Sequence, residues 1–215
     1  MKNALAIFFL IGVVLIGCAD TLSHTRGVFM LMDTSGTYAE ELHKAQSIIN
    51  FLLGTLQPGD TLAVARVDSG SFSEKDIIAK VTFDQRPSVS NQQKRTFRQT
   101  VDEFVSSVHG SAYTDISGGI LQAVEYLNET GAGTKHILIF SDLEEDLVEG
   151  YVRDFPIDMD GIEVVALNVT KLRSDNIDPR EYINRLEDWH RRVEEGGGQW
   201  RVINDLERLE PMLAE

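Results

Sequence analysis

Cysteine is almost missing from this chain: the only one is Cys18, near the amino end. That excludes an internal disulfide and any cysteine-rich metal centre. Basic residues are also scarce, 20 Lys and Arg against 34 Asp and Glu, for a formal net charge of −14. Such a surface repels nucleic acid and anionic lipid head groups, so electrostatic binding to either is excluded as a main activity. The histidines, His24, His43, His109, His136 and His190, are scattered without the i, i+4 or clustered spacing that zinc uses. No serine nucleophile elbow, P-loop or Gly-x-Gly-x-x-Gly is present. Gly196-Gly197-Gly198 has no strand before it and no Lys after it, so it reads as a flexible lead-in to a last strand. No uncharged apolar run reaches the ~20 residues that a membrane-spanning helix needs.

The apolar run that is present, Ala4 to Ile16 behind Lys2, suits a secretory signal. It leads into Leu15-Ile16-Gly17-Cys18, which resembles the lipobox of bacterial lipoproteins. The resemblance implies removal of residues 1–17 and lipidation of Cys18. Residues 18–26 then form the lipidated terminus and a short tether, and 27–215 a single domain of about 190 residues, large enough for one sizeable core. Two or more acyl chains anchor stably where one does not. Ala19 stands where an aspartate marks inner-membrane retention in enteric-type lipoproteins, which favours an outer-membrane protein facing the periplasm. Stretched out, Ala19 to Arg26 reaches at most about 26–29 Å.

Past the tether, apolar strand-like runs alternate with amphipathic helical ones, the pattern of a mainly parallel sheet covered on both faces. Strands are predicted at Gly27–Asp33, Thr61–Val67, Ile78–Phe83, His136–Ser141, Ile162–Val169 and Trp200–Ile203. Helices are predicted at Tyr38–Thr55, Asn91–Val108, Ile116–Asn128, Pro179–Glu194 and Asp205–Leu213. Only a short Ser- and Gly-rich turn separates the second and third strands, so they should pair as a hairpin with one antiparallel edge. The expected fold is α/β: a doubly wound, mainly parallel six-stranded sheet with helices on both faces.

In such a sheet, ligands bind beyond the carboxyl ends of the strands where the strand order reverses, here between the first and fourth strands. The first strand ends in Asp33-Thr-Ser-Gly-Thr37, with a carboxylate and two hydroxyls at alternate positions. The fourth, His136-Ile-Leu-Ile-Phe-Ser141, is followed by Asp142, and Ser111-Ala-Tyr-Thr114 precedes the third helix. Hard oxygens of this kind suit Mg2+ or Mn2+ rather than a soft metal. Capping is the competing use: Thr37 with Glu40 makes a capping box, and Thr114 or Asp115 could cap the third helix.

Asp33, Ser35, Thr37, Thr114 and Asp142 together resemble the metal-ion-dependent adhesion site of von Willebrand factor type A (vWA) domains, and the likeness covers essentially the whole chain after Cys18. It implies that Ser35, Thr37 and Thr114 supply hydroxyl oxygens, directly or through water, while Asp33 and Asp142 act mainly through metal-bound waters. One coordination position is then left for an acidic side chain of a protein partner. Thr37 departs from the family's serine but keeps the hydroxyl. In Asp142-Leu-Glu-Glu-Asp146, Glu144 or Glu145 could fill the open position as an internal ligand, or the segment could be a solvated acidic loop.

The expected function is therefore non-enzymatic: a lipid-anchored binding module of the bacterial cell envelope that captures a protein partner through a divalent cation. No small-molecule substrate is expected. One alternative is a phosphatase resembling the haloacid dehalogenases, with Asp33 as nucleophile and Ser141 as the second motif. Ser35 then stands where that family needs an acid/base aspartate, and a hydroxyl cannot replace a carboxylate in that role. The other alternative is a structural subunit of an envelope complex, its loop only capping helices. Trp189 and Trp200 are read as packing residues.

Overall fold

The computed structural model describes residues 24–36, 38, 41–170, 172, 174–204, 209 and 211. Cys18, Thr37, Glu40 and most of the helix expected at Asp205–Leu213 lie outside the described residues.

The strands are β1 (Arg26–Asp33), β2 (Thr61–Val67), β3 (Ile77–Thr82), β4 (Thr134–Phe140), β5 (Ile162–Leu167) and β6 (Gln199–Ile203). The α-helices, among the described residues, are α1 (Leu42–Thr55), α2 (Pro87–Ser107), α3 (Ile116–Thr130) and α4 (Pro179–Glu195). The strands form one six-stranded sheet in the order β3-β2-β1-β4-β5-β6. Every pairing is parallel except β2 with β3, the expected hairpin, whose turn carries a short 3-10 segment at Glu74–Asp76.

The alternation of side chains along a strand divides the core into two layers. Val28, Met30 and Met32 face α1 and α2, where Leu42, Ala45, Ile49, Leu52, Phe97 and Val101 are buried. Phe29 and Leu31 face α3 and α4, against Ile120, Leu127, Trp189 and Val193. Because β1 is buried on both faces, it reads as a continuous apolar run, as central parallel strands do. The run stops at the carboxyl end with Asp33.

Three boundaries differ from the sequence reading for local reasons. The first helix begins at Leu42, and Tyr38 is instead a buried turn residue whose ring packs edge-on to Phe140. The second begins at Pro87, because proline's fixed φ and missing N–H suit the first helical turn. Gly196-Gly197-Gly198 is no loose lead-in. Its amino end caps α4, the Gly196 carbonyl accepts the Met159 amide at 2.7 Å, and a Cβ at Gly196 would sit 2.3 Å from the Ile157 carbonyl oxygen. Gly196 is there because two backbones touch, and Gly197 because its φ is +80°.

At the amino end of β1, the buried Asp60 carboxylate accepts the Arg26 amide at 2.8 Å, the Arg26 guanidinium at 2.9 and 3.1 Å, and the Gln57 amide at 2.8 Å. Removing one partner of a largely buried pair leaves the other charge poorly compensated. Asp60→Ala should lower the unfolding free energy by about 2–4 kcal/mol in urea titration.

Candidate functional site

Met32 pairs with Phe140, so the chain leaves β1 and β4 at the same level and Asp33 emerges beside Ser141. Asp33 is fully buried. Its Oδ1 accepts the Ser35 amide at 2.8 Å, and its Oδ2 accepts the Ser141 hydroxyl at 2.7 Å. These bonds fix the plane of the carboxylate and leave lone pairs for water. Asp142 is also buried, and its Oδ1 accepts the Glu144 amide at 3.0 Å.

The two acids feel each other. Burial pushes the Asp33 carboxyl above its ordinary value, and hydrogen bonds from Ser141 and Ser35 pull against that. Asp142 is pushed up to about 6, chiefly by burial, with the charges of Asp33 and Glu144 adding to the rise and the Glu144 amide and Arg185 opposing it. Two buried carboxylates at one crevice are an arrangement that a divalent cation stabilises.

The other loops close on this point through backbone contacts. The Gly36 amide donates to the Ser111 carbonyl at 3.1 Å, and the Ser111 amide donates to the Thr34 carbonyl at 2.7 Å. A Cβ on Gly110 would lie 2.9 Å from the Gly36 Cα, so only glycine permits the approach. The loop bearing Thr114 is thereby laid against the loop bearing Ser35. Thr114 and Asp146 exchange backbone hydrogen bonds at 2.8 and 3.0 Å, which ties the same residue to the loop after β4.

Capping of α3 falls to Asp115, not Thr114. The Asp115 carboxylate accepts the Gly118 amide at 2.8 Å and is held by Arg153 at 2.7 Å. The bonds that Thr114 makes to Asp146 use its main chain, so its hydroxyl takes no part in them.

Of the five predicted metal ligands, the structure gathers Asp33, Ser35, Thr114 and Asp142 around the ends of β1 and β4, while Thr37 lies outside the described residues. The proposed internal ligands separate. Glu145 accepts the Ser117 amide at 2.7 Å, the Ser117 hydroxyl at 3.1 Å and Arg192 at 3.3 Å, so its carboxylate is engaged at the start of α3. Glu144 is exposed and lines a shallow hollow against α4. Among the described residues, no three His, Cys, Asp or Glu side chains cluster as a metal cage, so a cation here depends on hydroxyl and water oxygens.

Two contributors were not assigned to the cation site from sequence, Ser141 having been named only for the phosphatase alternative. Ser141 is the hinge between the acids: it donates to Asp33 and accepts the Leu143 amide at 3.0 Å. Its signal was its place as the residue between an apolar strand and Asp142. Tyr38 locks the first loop to the end of β5 through the carbonyl and side-chain amide of Asn168, the latter at 2.8 Å. Burial raises the Tyr38 hydroxyl's pKa, and the charges of Asp142 and Asp33 add to the rise.

No sequence-family model and no curated protein matches this chain. Solved structures do. A von Willebrand factor type A protein from Catenulispora acidiphila superposes with a TM-score of 0.54 at 14% identity, covering 89% of this chain and 42% of that one. The PilB minor pilin of Streptococcus sanguinis, as its D319A mutant, gives 0.52 at 14% identity, covering 89% and 60%. An aerotolerance-related membrane protein from Bacteroides fragilis gives 0.50 at 14% identity, covering 88% and 96%. The chain thus spans less than half the length of the Catenulispora protein. It has the vWA fold.

The raised Asp142 pKa carries a pH dependence of stability. The folded protein keeps this proton up to pH about 6, whereas the unfolded chain releases it near 3.8. Between those values the native state binds more protons, so the group's contribution falls as pH rises through the window and stays low above it. In chelator at pH 7, Asp142→Asn should be more stable than the parent by about 1–3 kcal/mol, and the difference should vanish below pH ~4. Urea unfolding at the two pH values checks this.

Proposed function

We propose that this protein is a non-enzymatic binding module that takes a protein partner's acidic side chain on a Mg2+ or Mn2+ ion held by Asp33, Ser35, Thr37, Thr114 and Asp142. The carrying observation is the convergence of two buried carboxylates, from adjacent parallel strands, with the loop that bears Thr114 tied against them through Ser111 and Asp146. The donor set is all hard oxygen, which fits Mg2+ or Mn2+. When bound, the ion would supply an electrophile for an incoming carboxylate. Asp33 and Asp142 would orient its waters, and the Ser35 and Thr114 hydroxyls would hold it without neutralising it.

Binding is favoured over hydrolysis by the burial of Asp33. With both carboxylate oxygens bonded and no exposed surface, it is poorly placed to attack a phosphoester. The pilin among the similar structures supports a role in protein contacts at a bacterial surface. The lipobox-like Cys18 supports anchoring of the chain by lipid in the cell envelope, with the outer membrane as the preferred site. Arg26 opens β1 at the end opposite Asp33. A tether joined there would turn the cation site away from the membrane and toward partners.

Calorimetric titration with Mg2+ and Mn2+, run beside Asp33→Ala, tests the reading. The parent should bind one ion, and the variant should lose binding by at least tenfold while remaining folded. Absence of binding by the parent would sink the cation role and leave the structural-subunit alternative. Orientation is checked separately: a photocrosslinker at the exposed Tyr113 should capture protein, and crosslinks chiefly to lipid would refute the outward-facing site.

A further inference from the structure

α4 grips the loop that carries Asp142. Arg185, Trp189 and Arg192 recur at i, i+4 and i+7, so they share one face of the helix. Each reaches a different residue of one short segment. Arg185 Nε donates to the Asp142 carbonyl at 2.9 Å, Trp189 Nε1 donates to the Leu143 carbonyl at 3.0 Å, and Arg192 bonds the Glu145 carboxylate at 3.3 Å.

The grip is itself anchored. Arg185 is mostly buried and pairs through two nitrogens with the fully buried Asp175 carboxylate, at 2.9 and 3.3 Å. Trp189 is buried in the core beneath the sheet. What it grips is a strained segment: Leu143 has φ of +67°, a left-handed conformation that a leucine holds only when its surroundings impose it. The Leu143 side chain is buried, and its amide donates to the Ser141 hydroxyl, which in turn donates to Asp33. A continuous chain of bonds therefore runs from α4 through Leu143 and Ser141 to the carboxylate at the end of β1.

We propose that Arg185 and Trp189 are positioning residues: α4 holds Asp142 and, through Ser141, Asp33 in the separation that admits a cation, and so sets the affinity of the site. The inference rests on the metal-site reading above. Its physical logic is preorganisation. Two buried carboxylates repel, and a loop free to move would let Asp142 swing away, so that each binding event would have to reorder it. Helix bonds to the two successive carbonyls that follow the Asp142 side chain, those of Asp142 and Leu143, remove that freedom without using the carboxylate.

Trp189→Phe keeps most of the aromatic bulk and removes the N–H. Arg185→Lys keeps the charge beside Asp175, but a single ammonium cannot reproduce the guanidinium's fork to both partners. Arg191→Gln, on the exposed face where Arg191 pairs with Asp188, serves as control. Two readouts are taken for each protein: Mn2+ affinity by calorimetry, and amide hydrogen exchange with no metal added. Each of the two grip variants should weaken Mn2+ binding about three- to tenfold, the scale of one lost hydrogen bond, and the control should not. Exchange should rise at residues 142–146 and also at 33–36, across the Ser141 relay. Unchanged Mn2+ affinity in both folded variants, or faster exchange confined to 142–146, overturns the proposal. If the parent binds no Mn2+, the affinity claim falls together with the metal site, whereas the exchange coupling between 142–146 and 33–36 stands or falls independently.

Discussion

Two carboxylates are buried side by side where β1 and β4 end, and most of the surrounding architecture answers to that. A buried charge is costly unless something compensates it. Here the direct partners are hydrogen-bond donors: Ser35 and Ser141 on Asp33, and the Glu144 amide on Asp142. No arginine or lysine forms a salt bridge with either acid among the described residues, although the nearby Arg185 charge lowers the pKa of Asp142. A structural acid is usually paired, as Asp60 is with Arg26 and Asp175 with Arg185 in this same molecule. The contrast is what the proposed cation at this crevice would account for.

The fold explains how such a site is afforded. Parallel strands β1 and β4 are central and buried on both faces, so their common carboxyl end is rigid and shielded from bulk water. Four loops are then fastened to one another, two of the links by main-chain bonds and one by side chains. The first loop is held to the third-helix loop through Gly36 and Ser111, that loop to the acidic one through Thr114 and Asp146, and the first to the end of β5 through Tyr38 and Asn168. Hydroxyl groups sit among acids that the scaffold, and not the ligand, has already positioned.

Much of this was legible in the sequence because it is carried by local patterns. The bounds of β2 match those predicted, and the other strands fall within two residues, since continuous apolar runs between turns leave little choice. Asp33 and Asp142 were visible as acids that terminate such runs. What could not be read depends on which distant segments meet. Nothing near Glu145 says that Ser117 and Arg192 claim it, and nothing in a triple glycine separates a mobile linker from one pressed against Ile157. Asn168, at φ of +53°, belongs to the same class: its partner Tyr38 is 130 residues away in sequence. Capping of α3 was an open choice between Thr114 and Asp115, and Arg153, remote in sequence, pairs with the Asp115 carboxylate that takes the role.

Diffraction from crystals grown with Mn2+, at a wavelength where manganese scatters anomalously, would locate the ion itself. A single peak is expected between the ends of β1 and β4, with the Ser35 and Thr114 hydroxyl oxygens about 2.1 Å away and Asp33 and Asp142 bonded to its waters. No peak in that crevice at saturating Mn2+, or one held only by the exposed acids of 144–149, would contradict the assignment of this site.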